Sequence, residues 1–200
     1  DRFLEIWNLV FMQYNRNEAG ELIPLKQKNN DTGMGLERIT AVIQGVDSNF
    51  DTDLFKSLID EIAIKSNPHP LTLKVTDDTL SFRIIADHVR AATHLISDGV
   101  IPDNSGRGYI LRRLIRRAIR HIKLLNIDTP YLSDLAGIVI AEMGATYQIL
   151  RDKSDLIISV LDHEEKSFLE TLEQGTELFK SAMGQHQEDK IIPGEIVFKL

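Results

Sequence analysis

The sequence predicts an α+β chain in which a little antiparallel β-structure at the start gives way to almost all α-helix. Two patterns of hydrophobicity predict it. Residues 3 to 16 are rich in β-branched and aromatic side chains, as suits a pleated strand. From Leu36 onward apolar residues recur instead at spacings of three and four, the period of one helix face. A third observation is electrostatic. The net charge of −7 hides a segregated distribution, because nine basic residues stand against three acidic ones between Phe82 and Lys123. That stretch carries +6 and leaves −13 for the rest, which implies a positive patch on an acidic body.

Two hundred residues allow one large or two small domains, with roughly 70% of the unfolded surface buried at this size. An apolar fraction of 42% and a charged fraction of 26% place the chain among ordinary globular proteins. No apolar run approaches the ~20 residues of a membrane span, and no signal peptide opens the chain, so no membrane partner is expected. The absence of cysteine excludes disulfides and thiolate metal sites and fits a reducing, cytoplasmic location. The chain opens at Asp1 without Met and stops at Leu200 in an apolar stretch, and it reads as an internal fragment.

Taken in order, residues 3 to 16 form the first strand, Asn15 to Gly20 a turn, and Glu21 to Lys26 the returning strand of a hairpin. Period two puts Ile6, Asn8, Val10 and Met12 on one face and Trp7, Leu9 and Phe11 on the other. Asn8 reads either as an edge or bulge residue or as a ligand-binding one. Gly33 and Gly35 then allow close backbone approach, and a helix runs from Leu36 until Gly45 ends it. The spacing is neither a Walker loop nor a Rossmann fingerprint. Asp31 here either caps the following helix or meets a ligand. Asp51 is expected to cap a helix through Ile64, and Asn67-Pro-His-Pro70 is a connector. Leu71 to Val75 is read as a short extended piece, and Asp78 or Thr79 as the cap of a helix from Leu80 to Ser97.

The loop from Asp98 to Gly108 delivers the most charged helix of the chain, Gly106 to Lys123. Leu111, Leu114, Ile115, Ala118 and Ile122 share its apolar face, opposite Arg112, Arg113, Arg116, Arg117 and Arg120. Six of its residues are Arg, the side chain best suited to forked bonding with phosphate oxygens. No acid interrupts the run, which favours nucleic acid or polyphosphate over a merely solvated face. Thr129-Pro130 is read as a cap followed by Pro at the first helical position, opening a helix to about Met143. A long amphipathic helix follows from Lys153 to Met183. Leu156, Val160, Leu161, Phe168, Leu172 and Phe179 form its stripe, and Glu164, Glu165, Glu170 and Glu173 are expected to face out.

Metal and nucleophile chemistry find little support. His88 and His94 share no face with a third ligand, Asp87-His88 reads as a structural pair, and His163-Glu164-Glu165 lacks the second His of a zinc-protease helix. No metal site is expected. Two places remain: the strand-to-helix junction with Asn8, Val10, Asp31 and Arg38, and the loop and basic helix from Asp103 to Lys123.

Five blocks in order carry a resemblance: residues 5–16 (Glu-Ile-Trp-Asn-Leu-Val-Phe-Met-Gln-Tyr-Asn-Arg), residues 31–38 (Asp-Thr-Gly-Met-Gly-Leu-Glu-Arg), residues 84–90 (Ile-Ile-Ala-Asp-His-Val-Arg), residues 98–104 (Asp-Gly-Val-Ile-Pro-Asp-Asn) and residues 107–113 (Arg-Gly-Tyr-Ile-Leu-Arg-Arg). Together they resemble the alanyl-tRNA synthetases of class II, over essentially the whole chain.

The resemblance implies that residues 1–48 are the C-terminal part of an antiparallel-sheet aminoacylation domain with that class's third motif. Residues 49–200 would be a mostly α-helical tRNA-recognition domain, incomplete at its end. It implies that Asn8, Val10, Asp31 and Gly33 line the alanine site, with Asp31 on the α-amino group. Arg38 would bind ATP, which enters as a substrate with Mg2+. Asn104 would read a G·U wobble pair in the acceptor stem of tRNA(Ala), with Arg107, Arg112, Arg113, Arg116, Arg117 and Arg120 as further tRNA-binding residues. Zinc is implied only for a downstream editing domain outside this chain, and DNA is not an expected partner. The first two class II motifs would precede Asp1, so the chain by itself is expected to be inactive. The rival reading is a non-catalytic helical RNA-binding module.

Overall fold

The computed structural model describes residues 3–66, 77–185 and 194–198. The Asn67–Pro70 connector and the extended piece expected over residues 71–75 lie outside them. The chain divides into two compact units, residues 1–56 and 57–200. The domain boundary expected after residue 48 falls within the first.

Unit one is an antiparallel hairpin followed by a helix. Strand β1 (Trp7–Arg16) pairs with β2 (Leu22–Met34). Asn17 closes the turn: its side-chain oxygen accepts from the Glu21 N–H at 2.8 Å, and Gly20 adopts the left-handed φ of +84°. The first strand starts four residues later than the sequence suggests, and the second is much longer than Glu21–Lys26. Its polar stretch from Asn29 to Gly33 stays in the ladder, because backbone pairing does not require apolar side chains. The register shifts between Met12 and Tyr14, next to Pro24, which has no N–H to give the ladder.

Helix α1 (Leu36–Gln44) ends as expected at Gly45, whose φ of +64° is readily available only to glycine. The helix expected from Asp51 does not form there. Ser48 instead caps a 3-10 turn, Asn49–Asp51, and the carbonyl of buried Thr52 accepts the N–H groups of Phe55 and Lys56. Helix α2 (Lys56–Ser66) starts from that point.

Unit two is helical among the described residues. Beyond α2 it comprises α3 (Asp77–Ser97), α4 (Gly106–Leu124), α5 (Leu132–Met143), α6 (Gln148–Asp152), α7 (Ser154–Gln185) and α8 (Gly194–Val197). Helix α3 begins at Asp77, one residue before Asp78 and two before Thr79, the expected caps. It packs on α4, and α7 packs on α5, α4 and α3. Phe82, Ile85, Val89 and Ile96 of α3, Leu111, Ile115, Ile119 and Ile122 of α4, Leu132 and Leu135 of α5, and Ile157 and Leu161 of α7 form the core. Ile119 is fully buried where the sequence pattern favours Leu114, which is only half-buried.

Three expectations about the helices are corrected. Pro130 does not open α5. It lies two residues before Leu132, and the N–H groups of Tyr131 and Leu132 donate to the Glu165 carboxylate at 3.1 and 2.9 Å. The carboxylates of α7 do not all face water either: Glu164 is 5% exposed and Glu165 is 0% exposed. Both turn inward because each has obligate partners there, arginines for the first and orphan helix N–H groups for the second. Leu156, Leu172 and Phe179, expected in the stripe, are exposed.

Candidate functional site

In the first unit, the ladder brings the four predicted alanine-site residues onto two alternate rungs. Asn8 stands opposite Gly33, and Val10 stands opposite Asp31. Residues directly opposite in an antiparallel pair project to the same side, and positions two apart on one strand do as well. The four positions therefore share one face, as the alternation of β1 requires. All four are exposed, and no atom lies within 4 Å of where a Cβ on Gly33 would sit, so this patch has open space above it. On the opposite face the Trp7 indole N–H donates to the Thr32 hydroxyl.

Arg38 projects from the first turn of α1. Its aliphatic stem folds over Gly35, where an added Cβ would meet Arg38 Cδ at 3.3 Å. Its Nη1 donates to the Glu5 carbonyl at 2.6 Å, next to the point where the Gly35 N–H meets the Ile6 carbonyl at 3.1 Å. The guanidinium is thus tethered by one nitrogen and exposed on the rest, a geometry that leaves donors for an anion or a face for a flat ring.

In the second unit, the loop from Asp98 to Ser105 is pinned against the start of α4. A Cβ on Gly108 would lie 2.4 Å from the Ile101 carbonyl and 2.6 Å from Asp103 Cβ, so only glycine lets the loop sit this close. Asp103 accepts the Asn104 N–H at 2.7 Å, and Asn104 Oδ1 accepts from Arg112 Nη1.

The arginines of α4 divide into two sets. Arg113, Arg117 and Arg120 recur at i, i+4 and i+7 and are exposed, as is Arg107. Arg113 lies with its guanidinium 5.7 Å from the ring centre of exposed Tyr109. Arg112 and Arg116 are half-buried and ion-paired to Glu164, with Nε atoms at 3.2 and 2.9 Å from its Oε1. The counter-charge missing from the α4 sequence is thus supplied by α7.

Behind the exposed stripe, the inner side of α4 meets α3. Ser81 Oγ is 3.0 Å from His121 Nδ1, and burial, helped by the charges of Arg117 and Arg120, pushes the His121 pKa down. His88 Nδ1 lies 2.8 Å from Asp87 Oδ2, and this hydrogen bond, with the charges of His88, Arg90 and Arg117, holds the Asp87 carboxyl below its usual range. His88 is 8% exposed. Among the described residues no group of three His, Cys, Asp or Glu is arranged to hold a metal ion, and no helix is long and apolar enough to cross a membrane.

Sequence reasoning missed three residues of this arrangement: Glu164, Glu165 and Gly108. A signal for the first two existed, since positions 157, 161, 164, 165 and 168 continue one helical stripe that includes both carboxylates. Nothing local marks Gly108, because the clash it avoids is with the preceding loop.

Comparison with known proteins adds a family. A model of the tRNA synthetases class II (A) matches residues 1–200. The alanine–tRNA ligase of Acidithiobacillus ferridurans is 48% identical over 200 residues, all of this chain and 23% of that protein. That of Halorhodospira halophila is 49% identical over 203 residues, covering 22% of its length. That of Anaeromyxobacter dehalogenans is 50% identical over 183 residues, 92% of this chain and 20% of the relative. The chain thus spans between a fifth and a quarter of the curated relatives it matches.

Proposed function

The chain belongs to the class II tRNA synthetases (A), the alanyl-tRNA synthetases, and from that premise we propose that it is part of an alanine–tRNA ligase. Residues 1–48 supply the closing strands of the aminoacylation domain's antiparallel sheet, and residues 49–200 the helical surface that holds the acceptor stem of tRNA(Ala). The parent protein joins alanine to the α-phosphate of ATP, brought in with Mg2+, and passes the alanyl group to the 3′ end of the tRNA. Cytoplasm is the compartment in which such a tRNA substrate is met.

The observation that carries this reading is the ladder itself: Asn8 against Gly33 and Val10 against Asp31. It sets a carboxylate, an amide and a small apolar side chain around a glycine with open space above it. Such a patch suits a small zwitterion: Asp31 meets the ammonium group, Asn8 bonds the polar end, and Val10 and Gly33 lie against the methyl group. Arg38 meets the nucleotide, its tethered guanidinium already oriented for an anionic or aromatic partner. Chemistry of this kind relies on positioning and charge stabilisation rather than on a side-chain nucleophile.

In the helical part, Asn104 sits at the end of the pinned loop, just before the cap of α4, and meets the minor groove of the acceptor stem, whose shallow A-form edge a short side chain can reach. Arg107, Arg113, Arg117 and Arg120 hold phosphates and set register without reading sequence. The experiment is ATP–pyrophosphate exchange with alanine on the full-length parent. Asp31→Ala is expected to lower kcat/KM for alanine by roughly tenfold to a hundredfold, the loss of one charge-assisted hydrogen bond. Unchanged exchange defeats the alanine-site assignment. A parent with no exchange activity at all returns the chain to a helical RNA-binding module.

A further inference from the structure

Arg112 donates to the protein through all three of its guanidinium nitrogens. Nε reaches Glu164 Oε2 at 3.3 Å, Nη1 reaches Asn104 Oδ1, and Nη2 reaches the Pro102 carbonyl at 3.4 Å. Arg116 is held as well, with Nε 2.9 Å from Glu164 Oε1 and its guanidinium 5.0 Å from the centre of the Phe168 ring. Glu164, at 5% exposure, is the point where both chains of contact end. We infer that Glu164 is a positioning residue that, through Arg112, fixes the orientation of the Asn104 amide presented to RNA. This rests on the reading of Asn104 given above.

The chemistry of the contact decides the orientation. A guanidinium has five donors and no acceptor, so the atom of Asn104 that faces Arg112 must be the carbonyl oxygen. The amide NH2 then points the other way, and Oδ1 keeps one lone pair. Asn104 therefore presents a donor and an acceptor in one fixed order. An unbracketed asparagine on a loop would turn about χ2 and offer either edge, which weakens discrimination between G·U and G·C pairs, whose minor grooves differ in whether the guanine amino group is free or bonded to its partner base.

The bracket depends on charge more than on packing. Arg112 and Arg116 line an open cleft of about 470 Å3 with Pro102, His163, Glu164 and Ser167, so nothing bulky blocks Arg112 from leaving its place. With Glu164 neutralised, the two guanidinium groups lose their common anchor and become mobile cations beside the RNA path. They would then seek phosphate oxygens, which adds affinity for any A-form backbone and removes selectivity.

The test uses the full-length parent charged on two RNA stems that differ only in G·U or G·C at the wobble position. Glu164→Gln is expected to lower the kcat/KM preference for G·U about tenfold. The same variant should bind the G·C stem more tightly, with a salt dependence steeper by about one phosphate contact, and leave alanine-dependent ATP–pyrophosphate exchange unchanged. Arg112→Met should lose the same preference, and Glu164→Gln combined with Arg112→Met should lose no more than either alone, since both act through one contact. Wild-type preference in Glu164→Gln, with exchange intact, overturns the inference. Where Glu164→Gln fails to fold, Arg112→Met decides, and an unchanged preference there overturns it equally. Asn104→Ala separates the two layers. Wild-type preference in that variant defeats the reading of Asn104 and this inference with it. A preference lost there but retained in Glu164→Gln and Arg112→Met defeats the positioning role alone.

Discussion

Among single residues, Glu165 and Gly108 carry the sharpest expectations. Glu165 is wholly buried, and its carboxylate accepts from the first N–H groups of α5, which have no partner within the helix. Glu165→Ala strands both donors and should destabilise the chain by about 3 kcal/mol in urea unfolding. Burial raises its pKa above the ordinary 4.5, although the bonds from Leu132 and Tyr131 oppose the rise. A raised carboxyl pKa means that the folded state holds a proton the unfolded state has released. The contribution of Glu165 is therefore complete below pH 4.5 and declines as pH climbs through the raised value. The stability difference between wild type and Glu165→Gln should shrink with rising pH across that window, and a difference that grows there contradicts the shift. Gly108→Ala would force its new methyl into the Ile101 carbonyl and Asp103, at a cost of about 2 kcal/mol in the same measurement.

At the scale of the element, α4 is a helix with three faces rather than two. One is apolar, one presents Arg113, Arg117 and Arg120 to solvent, and a third turns Arg112 and Arg116 onto Glu164. Identical side chains on one helix therefore do different work. Arg117→Ala should leave the unfolding midpoint nearly unchanged and reduce the salt slope of RNA binding by about one. Arg112→Ala should behave in the reverse way: it leaves the buried Glu164 with a partner fewer and lowers stability by about 2 kcal/mol. Titration of RNA affinity against salt, beside urea unfolding of the same two variants, checks the division. The sequence made the basic stripe legible because arginines cluster at helical spacing. It hid the division, since the partner that splits them lies some fifty positions away on α7.

For the whole molecule, the two units differ in how well they bury their apolar side chains. The helical unit encloses a continuous core. The hairpin does not: Trp7, Leu9, Val10, Phe11 and Tyr14 are each about half exposed or more. Two strands alone rarely hold together in water, and faces this apolar suit packing on both sides. Residues 57–200 produced alone should unfold in one cooperative urea transition, and residues 1–56 alone should show none by circular dichroism. A cooperative transition in the shorter piece would contradict this account of the hairpin.

The sequence by itself determined the order of a little β and then mostly α, the face shared by Asn8 and Val10, the stop of α1 at Gly45 and the charged stripe of α4. These follow from local periodicity and backbone preference, which act within a few residues. Tertiary structure alone decided that Asp31 and Gly33 stand opposite Val10 and Asn8, because register depends on a strand that continues through polar residues. It also decided what meets Glu164 and Glu165, whose place on the inward stripe of α7 the helical period already marks. A carboxylate is buried only where distant cations or orphan N–H groups meet it, and no pattern along one helix announces what another helix brings.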